Sequence, residues 1–228
     1  EPNVGMVEVP DARLARLNEI LKPQSCTPTH IRFVDIAGLV RGASRGEGLG
    51  NRFLAHVREA DALVHVVRCF EDDRVAHVDG RVAPAQDIET VETELMLADL
   101  ASAEQARQRL EKVLRSDPRA LKSREYEAVM KVVEGLGRET PVHALDLSED
   151  EREAIRSYSF LTGKPVLFLA NVGEEDIPGG GESVARLQER YGPDRVLVVS
   201  AQIESEIAEL PPEDREAFLA DLELAETG

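Results

Sequence analysis

Only two cysteines, Cys26 and Cys69, occur in the 228 residues. Two are too few for a disulfide framework and lack the spacing of metal ligands, so free thiols in a reducing cytoplasm are the expectation. No apolar run approaches the roughly 18 residues that a membrane span needs, and no membrane partner is expected. The chain opens on Glu1-Pro2-Asn3, with neither a secretory leader nor an initiator methionine, which reads as a fragment of a cytoplasmic protein. Positive charge is scarce: 27 Lys and Arg against 44 Asp and Glu give a formal net charge of −17. Such a charge opposes generic binding to nucleic acid, because phosphate repulsion works against counterion release. One stretch inverts the balance. From Gln105 to Lys131, Arg107, Arg109, Lys112, Arg115, Arg119, Lys122, Arg124 and Lys131 stand against Glu111, Asp117, Glu125 and Glu127, an excess of four. Both a solvated helix face with internal ion pairs and an RNA-facing surface fit that pattern.

What is present describes a soluble globular protein, 42% hydrophobic and 31% charged, long enough for one good core plus a subdomain or for two small domains. Four short runs rich in β-branched residues, Ile31 to Ile36, Ala62 to Val67, Pro165 to Ala170 and Arg195 to Val199, have the character of buried strands in a parallel sheet. Polar or Gly-rich sequence and then helical periodicity follow each, so the fold expected is α/β, with a doubly wound, mainly parallel sheet. Between the second and third runs, Ile88, Val91, Leu95 and Ala98, then Leu110, Val113 and Leu114, mark one long amphipathic helix. Asp117-Pro118 breaks it, and Tyr126, Val129, Met130, Val133 and Leu136 mark a second, which together predict an inserted antiparallel helical hairpin. Ser148 with Glu151 forms a capping box for a third helix running toward Phe160. Gly179-Gly180-Gly181 is expected to be a flexible loop, and the acidic tail from Glu204 a helical surface segment or linker. The organisation expected is a nucleotide-binding part at 1–86, a helical insertion at 87–160, and a second nucleotide-binding part with a linker at 161–228.

Ligands of such sheets bind at the carboxyl ends of the strands. There the first run ends in Asp35-Ile36-Ala37-Gly38, a carboxylate able to hold Mg²⁺ through water and a glycine whose amide approaches a γ-phosphate unobstructed. Five glycines lie between Gly38 and Gly50, as suits a segment that rearranges with the phosphate present or absent.

The run Asp35 to Leu54 resembles the switch II signature of the Obg family of P-loop NTPases, in the version of its Obg-like ATPase (YchF-type) subfamily. Val67-Arg68-Cys69-Phe70-Glu71-Asp72, the helical insertion and Asn171-Val172-Gly173-Glu174 extend the resemblance to essentially the whole chain. Leu39 stands where many GTPases have a water-orienting Gln and offers no donor or acceptor; the resemblance gives that role to His77, while His65, inside an apolar strand, reads as a core residue. Asn171-Val172-Gly173-Glu174 replaces the guanine-reading Asn-Lys-x-Asp. The resemblance implies adenine instead, with Val172 main-chain contacts reading its amino edge, Asn171 supporting the loop, Glu174 beside it, and Ser200-Ala201-Gln202 as the remaining base-proximal motif. Gly173 departs from the polar residue the family often has. No Gly-x-x-x-x-Gly-Lys-Ser/Thr occurs. The resemblance implies that this loop and a switch I Thr precede Glu1 and that a TGS domain follows, so the isolated chain is expected to be an incomplete and inactive G-domain. The implied activity is ATP hydrolysis with Mg²⁺ on the ribosome, contacted through the basic hairpin. A GTP-preferring relative and a non-catalytic docking module are the alternatives.

Overall fold

The computed structural model describes residues 3–36, 49–72, 74–75, 81–116, 123–211, 214–215 and 219, with the backbone alone at 49–52, 114 and 116. The chain divides into two compact units, residues 1–40 and 41–228.

In the first unit, strands β1 (Val4–Glu8) and β2 (His30–Val34) pair antiparallel, Val4 opposite Val34 and Glu8 opposite His30. Helix α1 (Ala12–Leu21) connects them; the Asp11 side chain accepts the Arg13 amide as its N-cap, and Lys22 ends it in the left-handed conformation. Most of the run Ile31 to Ile36 is therefore a strand, but among the described residues its ladder partner is the antiparallel β1. A β-branched run signals extended backbone and carries no information on the direction of the strand beside it.

In the second unit, β3 (Leu63–Arg68), β4 (Val166–Asn171) and β5 (Val196–Val199) form a parallel sheet in that order. Arg68 lies opposite Asn171, and Asn171 opposite Val199, which brings three strand ends level. Helix α2 (Leu49–Glu59) precedes β3. Helices α3 (Pro84–Ser116), α4 (Arg124–Gly137) and α5 (Glu149–Ile155) lie between β3 and β4; α6 (Gly181–Tyr191) follows β4 and α7 (Ala201–Glu209) follows β5. The expected α/β architecture with a helical insertion is thus present.

Two cores divide the work. Ile88 at the start of α3 is buried with Val67, Phe168, Ala170 and Val196 of the sheet and Val184 and Leu187 of α6. Farther along the same helix, Ala103 and Ala106 pack against Ala128, Val129, Val132 and Leu136 of α4, with Ile155 and Phe160 closing the end. Small residues on α3 let the two helix backbones approach, and the long helix is shared between sheet and hairpin. Val113, expected in the apolar stripe, is 52% exposed, since the stripe outruns its covering partner.

Asp99 joins the two cores. Wholly buried on α3, it accepts the Leu161 amide at 2.8 Å with Oδ1, and the Thr162 amide and hydroxyl, each at 2.8 Å, with Oδ2. The turn Leu161–Gly163 leads straight into β4. Beside it, Arg58 at the end of α2 donates to Ser102 Oγ at 2.8 Å, and Lys164 Nζ donates to the carbonyl oxygens of Arg58 and Ala60.

The capping box forms as expected: Ser148 N–H donates to Glu151 Oε2 at 2.8 Å, and Glu151 N–H to Ser148 Oγ at 3.3 Å. Gly179-Gly180-Gly181 is more ordered than a flexible loop. Gly181 opens α6, and Gly180 is its N-cap at φ 81°, where an added Cβ would meet the Val184 side chain at 2.8 Å. Both the backbone conformation and the space require glycine there.

Candidate functional site

Three strand ends and the loops beyond them build the site. Asn171 is the last residue of β4. Its main-chain oxygen accepts the Cys69 amide at 2.8 Å and its side-chain Oδ1 accepts the Ala201 amide at 3.0 Å, so one residue ties the segments after all three strands together. Val172 is 2% exposed, and its N–H donates to Val199 O at 2.8 Å. With that N–H committed, any main-chain contact from Val172 to a ligand falls to its carbonyl, an acceptor. Glu174 begins a 3₁₀ turn, Glu174–Asp176, and is exposed. Gly173 caps that turn, and the Glu175 carboxylate lies where a Gly173 side chain would stand, 2.5 Å from an ideal Cβ. A larger residue there would displace only the end of a flexible side chain.

Ser200 is the N-cap of α7, 3% exposed, with a buried hydroxyl that has no hydrogen-bond partner. A native protein seldom leaves a buried hydroxyl orphaned, and this one sits at a helix N-terminus next to the Asn171 brace. Ala201 and Gln202 are exposed, and the Gln202 amide donates to Glu206 Oε1 at 3.1 Å within the helix. Asn171, Val172, Glu174, Ser200, Ala201 and Gln202 therefore gather at one end of the sheet.

The segment after β3 borders them. Arg68 sends its guanidinium to the carbonyl oxygens of Phe70 at 3.1 Å, Asp72 at 3.1 Å and Val75 at 2.9 Å. The Arg74 guanidinium holds the Asp72 carboxyl down at about 2, so this pair stays ionised above the ordinary carboxylate range and is lost only as pH falls toward that value. Burial, reinforced by Asp176 and Asp87, pushes the Cys69 thiol up to about 11, which keeps it protonated and unreactive near neutral pH. His65 sits in β3 with its ring 6.0 Å from that of Phe168, and burial lowers its pKa, in keeping with a core role.

Asp35 lies at the end of β2, exposed, in the first unit, with its N–H donating to Asn3 O at 2.9 Å. Gly38 and His77, like Leu39 and the glycine run, lie outside the described residues. Among the described residues, no three His, Cys, Asp or Glu side chains cluster as metal ligands.

On the hairpin, charges from outside the basic stretch change the balance. Arg107 pairs with Glu104 at 2.7 Å as well as with Glu111, Arg124 with Asp150 at 2.6 Å, and Lys131 with Glu151 at 2.7 Å. Counting Glu104, Asp150 and Glu151 reduces the local excess from four to one. The stripe that persists is Gln105, Gln108, Arg109 and Lys112, which lines a surface groove of about 340 Å³ on α3.

Residues 16–94 match the family model described as a 50S ribosome-binding GTPase. The ribosome-binding ATPase YchF of Pasteurella multocida is 48% identical over 230 residues, and that of Bacillus subtilis 44% over 232; each alignment covers 100% of this chain and 63% of the relative. The structure of the Schizosaccharomyces pombe YchF GTPase superposes with a TM-score of 0.77 at 32% identity, over 98% of this chain and 62% of that one. The chain thus spans a little under two thirds of the length of the relatives it matches. Over all of its own length the chain is similar to the YchF proteins, at close to half identity to the bacterial ones, and it shares the fold of the Schizosaccharomyces pombe structure.

Proposed function

We propose that the full-length protein binds ATP at the carboxyl ends of β3, β4 and β5 and hydrolyses it to ADP and phosphate on the ribosome. The observation that carries this reading is the Asn171 brace beside the orphaned Ser200 hydroxyl. The Val172 N–H, committed to Val199 O, leaves the Val172 carbonyl as the acceptor for an exocyclic amine, which adenine has at the position where guanine carries an oxygen. Glu174 lacks the rigid reach of the Asp that reads guanine.

Hydrolysis requires water to attack the γ-phosphorus as the bond to the β–γ bridging oxygen breaks. Gly38 presents its amide to the γ-phosphate and His77 orients the attacking water, taking the place of the Gln that Leu39 does not supply. Asp35, a single exposed carboxylate at a strand end, suits Mg²⁺, which favours oxygen ligands, keeps several of its waters and takes further ligands from substrate phosphates. When bound, Mg²⁺ supplies neutralisation of the charge that develops on the phosphate oxygens. The hairpin face Gln105, Gln108, Arg109 and Lys112 contacts ribosomal RNA, through a local basic stripe on an otherwise acidic chain. No helix among the described residues is long and apolar enough to cross a membrane, and a cytoplasmic site of action follows from the ribosomal partner.

Phosphate release by the full-length protein tests the reading. Turnover with ATP is expected in Mg²⁺ buffer, with loss on chelation by EDTA and recovery when Mg²⁺ is restored. Turnover that survives chelation would remove Asp35 and Mg²⁺ from the reaction, and no turnover at all would leave a docking module.

A further inference from the structure

We propose that the seam between α3 and α6 is a pH-sensitive joint: Glu92 closes it while its carboxyl carries a proton and loosens it once the carboxyl is ionised. The long helix that bears the hairpin then holds the sheet less firmly as pH rises.

The seam lies near Val166, the first residue of β4, at the opposite end of that strand from Asn171. Its centre is apolar. Ile88, one turn before Glu92 on α3, is wholly buried with Phe168, Val184 and Leu187, and the Phe168 ring meets that of Tyr191 with centroids 4.6 Å apart. Charged groups from several elements surround that centre. On α3 itself Glu89 pairs with Arg190 of α6 at 2.6 Å, and the Arg190 guanidinium lies over the Tyr191 ring with Cζ 5.3 Å from its centroid. From the turn Pro193–Arg195, Arg195 donates to Val166 O through Nε and Nη2, each at 3.3 Å, and its Cζ stands 5.7 Å from the Phe168 centroid. From the turn Val142–Ala144, His143 donates through Nδ1 to Thr162 O at 2.9 Å. The Tyr191 hydroxyl is buried and has no hydrogen-bond partner.

Glu92 is half-buried and within electrostatic reach of Glu89, His143, Arg190, Tyr191 and Arg195. Among the described residues its carboxylate nevertheless makes no hydrogen bond and no ion pair. Each neighbouring cation is committed elsewhere: Arg190 to Glu89, Arg195 and His143 to main-chain oxygens. Withdrawing an unpaired charge from water costs more than cations held at a distance return, whereas a neutral carboxyl in the same place costs far less. Burial is accordingly the largest influence on the Glu92 carboxyl and raises its pKa, against the lowering by Arg190, His143 and Arg195. Its folded value lies above its unfolded one, so the stability of the seam is fully present below the ordinary glutamate range and declines as pH rises through the folded value. Glu89, half-exposed and paired, carries no such penalty, and neutralising it only removes an ion pair.

The test is amide hydrogen exchange of the full-length protein over residues 86–95 and 184–191, for wild type, Glu92→Gln and Glu89→Gln. Rates are compared at equal pH, so the intrinsic base catalysis of exchange cancels. Glutamine has the shape of a protonated glutamate and no charge to lose. At pH 7.5 wild type is expected to exchange about threefold or more faster than Glu92→Gln, with the ratio shrinking toward one as pH falls to 5. Glu89→Gln is expected to exchange no slower than wild type at either pH. A smaller ratio at pH 7.5, or one that does not change with pH, overturns the proposal. Slowing of equal size in Glu89→Gln overturns it too, because the effect then belongs to the net negative charge of the chain. Failure of Glu92→Gln to fold overturns it as well, since the seam would then need the carboxylate.

Discussion

Asp99→Ala is expected to lower the unfolding free energy by about 3–5 kcal/mol, the range for removing one partner from a buried, charged hydrogen-bond network. For a domain of this size that corresponds to a fall of roughly 10 °C in the thermal midpoint. The cost arises because three donors, the Leu161 and Thr162 amides and the Thr162 hydroxyl, lose their acceptor in a place water does not reach. Asp99→Asn retains the volume and one acceptor oxygen but turns an amide donor toward donors already present, so about half the loss is expected. A loss below about 1 kcal/mol for Asp99→Ala, by thermal or urea unfolding, would show that the turn before β4 is held by packing alone.

The response to pH of this joint differs from that of a surface pair. Burial is the largest influence on the Asp99 carboxyl and raises its pKa, against the lowering by its donors. Its folded value therefore exceeds its unfolded one, and what it contributes declines as pH rises through the folded value. Glu151 behaves oppositely: the hydrogen bond from Lys131 lowers its pKa, so its contribution is present above the ordinary glutamate value and lost as pH falls through the lowered one. Acid consequently loosens the hairpin at α5 through Glu151 but not, through Asp99, the junction of α3 with the sheet.

His77→Ala is expected to lower kcat for ATP hydrolysis about 100-fold, the lower end of what general acid–base and water-orienting groups contribute. ATP affinity should change little, because in the proposed role the residue acts on water and not on the nucleotide. The expectation follows from Leu39, which leaves the usual water-orienting position without a polar group. Phosphate release with binding measured in parallel distinguishes the cases. Unchanged turnover removes His77 from the reaction, and equal losses in binding and turnover assign it to the fold of the loop.

The elements most legible in the sequence were those whose signal is local. The three parallel strands appear within two residues of their apolar runs, and the Ser148–Glu151 box forms as its spacing implied. Unit 1 was less legible: β1 carries Gly5 within five residues, and α1 buries no side chain among its ten, so neither presents a strong period. Long-range partners left no trace. Asp99 reads as one polar interruption of an apolar stripe until Leu161 and Thr162 are brought to it from more than 60 positions away. The same limit applied to the hairpin charge, where the acids that neutralise Arg124 and Lys131 stand on α5, beyond any window drawn along α3 and α4. At the site, the motif Asn171 to Glu174 was visible as letters. That Asn171 would brace the Ala201 amide and leave the Ser200 hydroxyl without a partner depends on strand register, which no short motif encodes.

The names of the relatives themselves divide, one describing an ATPase and another a GTPase. The base is therefore the point on which the account stands, and a competition titration decides it most directly. Fluorescent ATP bound to the full-length protein in Mg²⁺ buffer is displaced by unlabelled ATP or GTP. A preference for ATP of tenfold or more, about 1.4 kcal/mol, is the expected result. Equal or better displacement by GTP would contradict the adenine reading of Asn171, Val172 and Glu174.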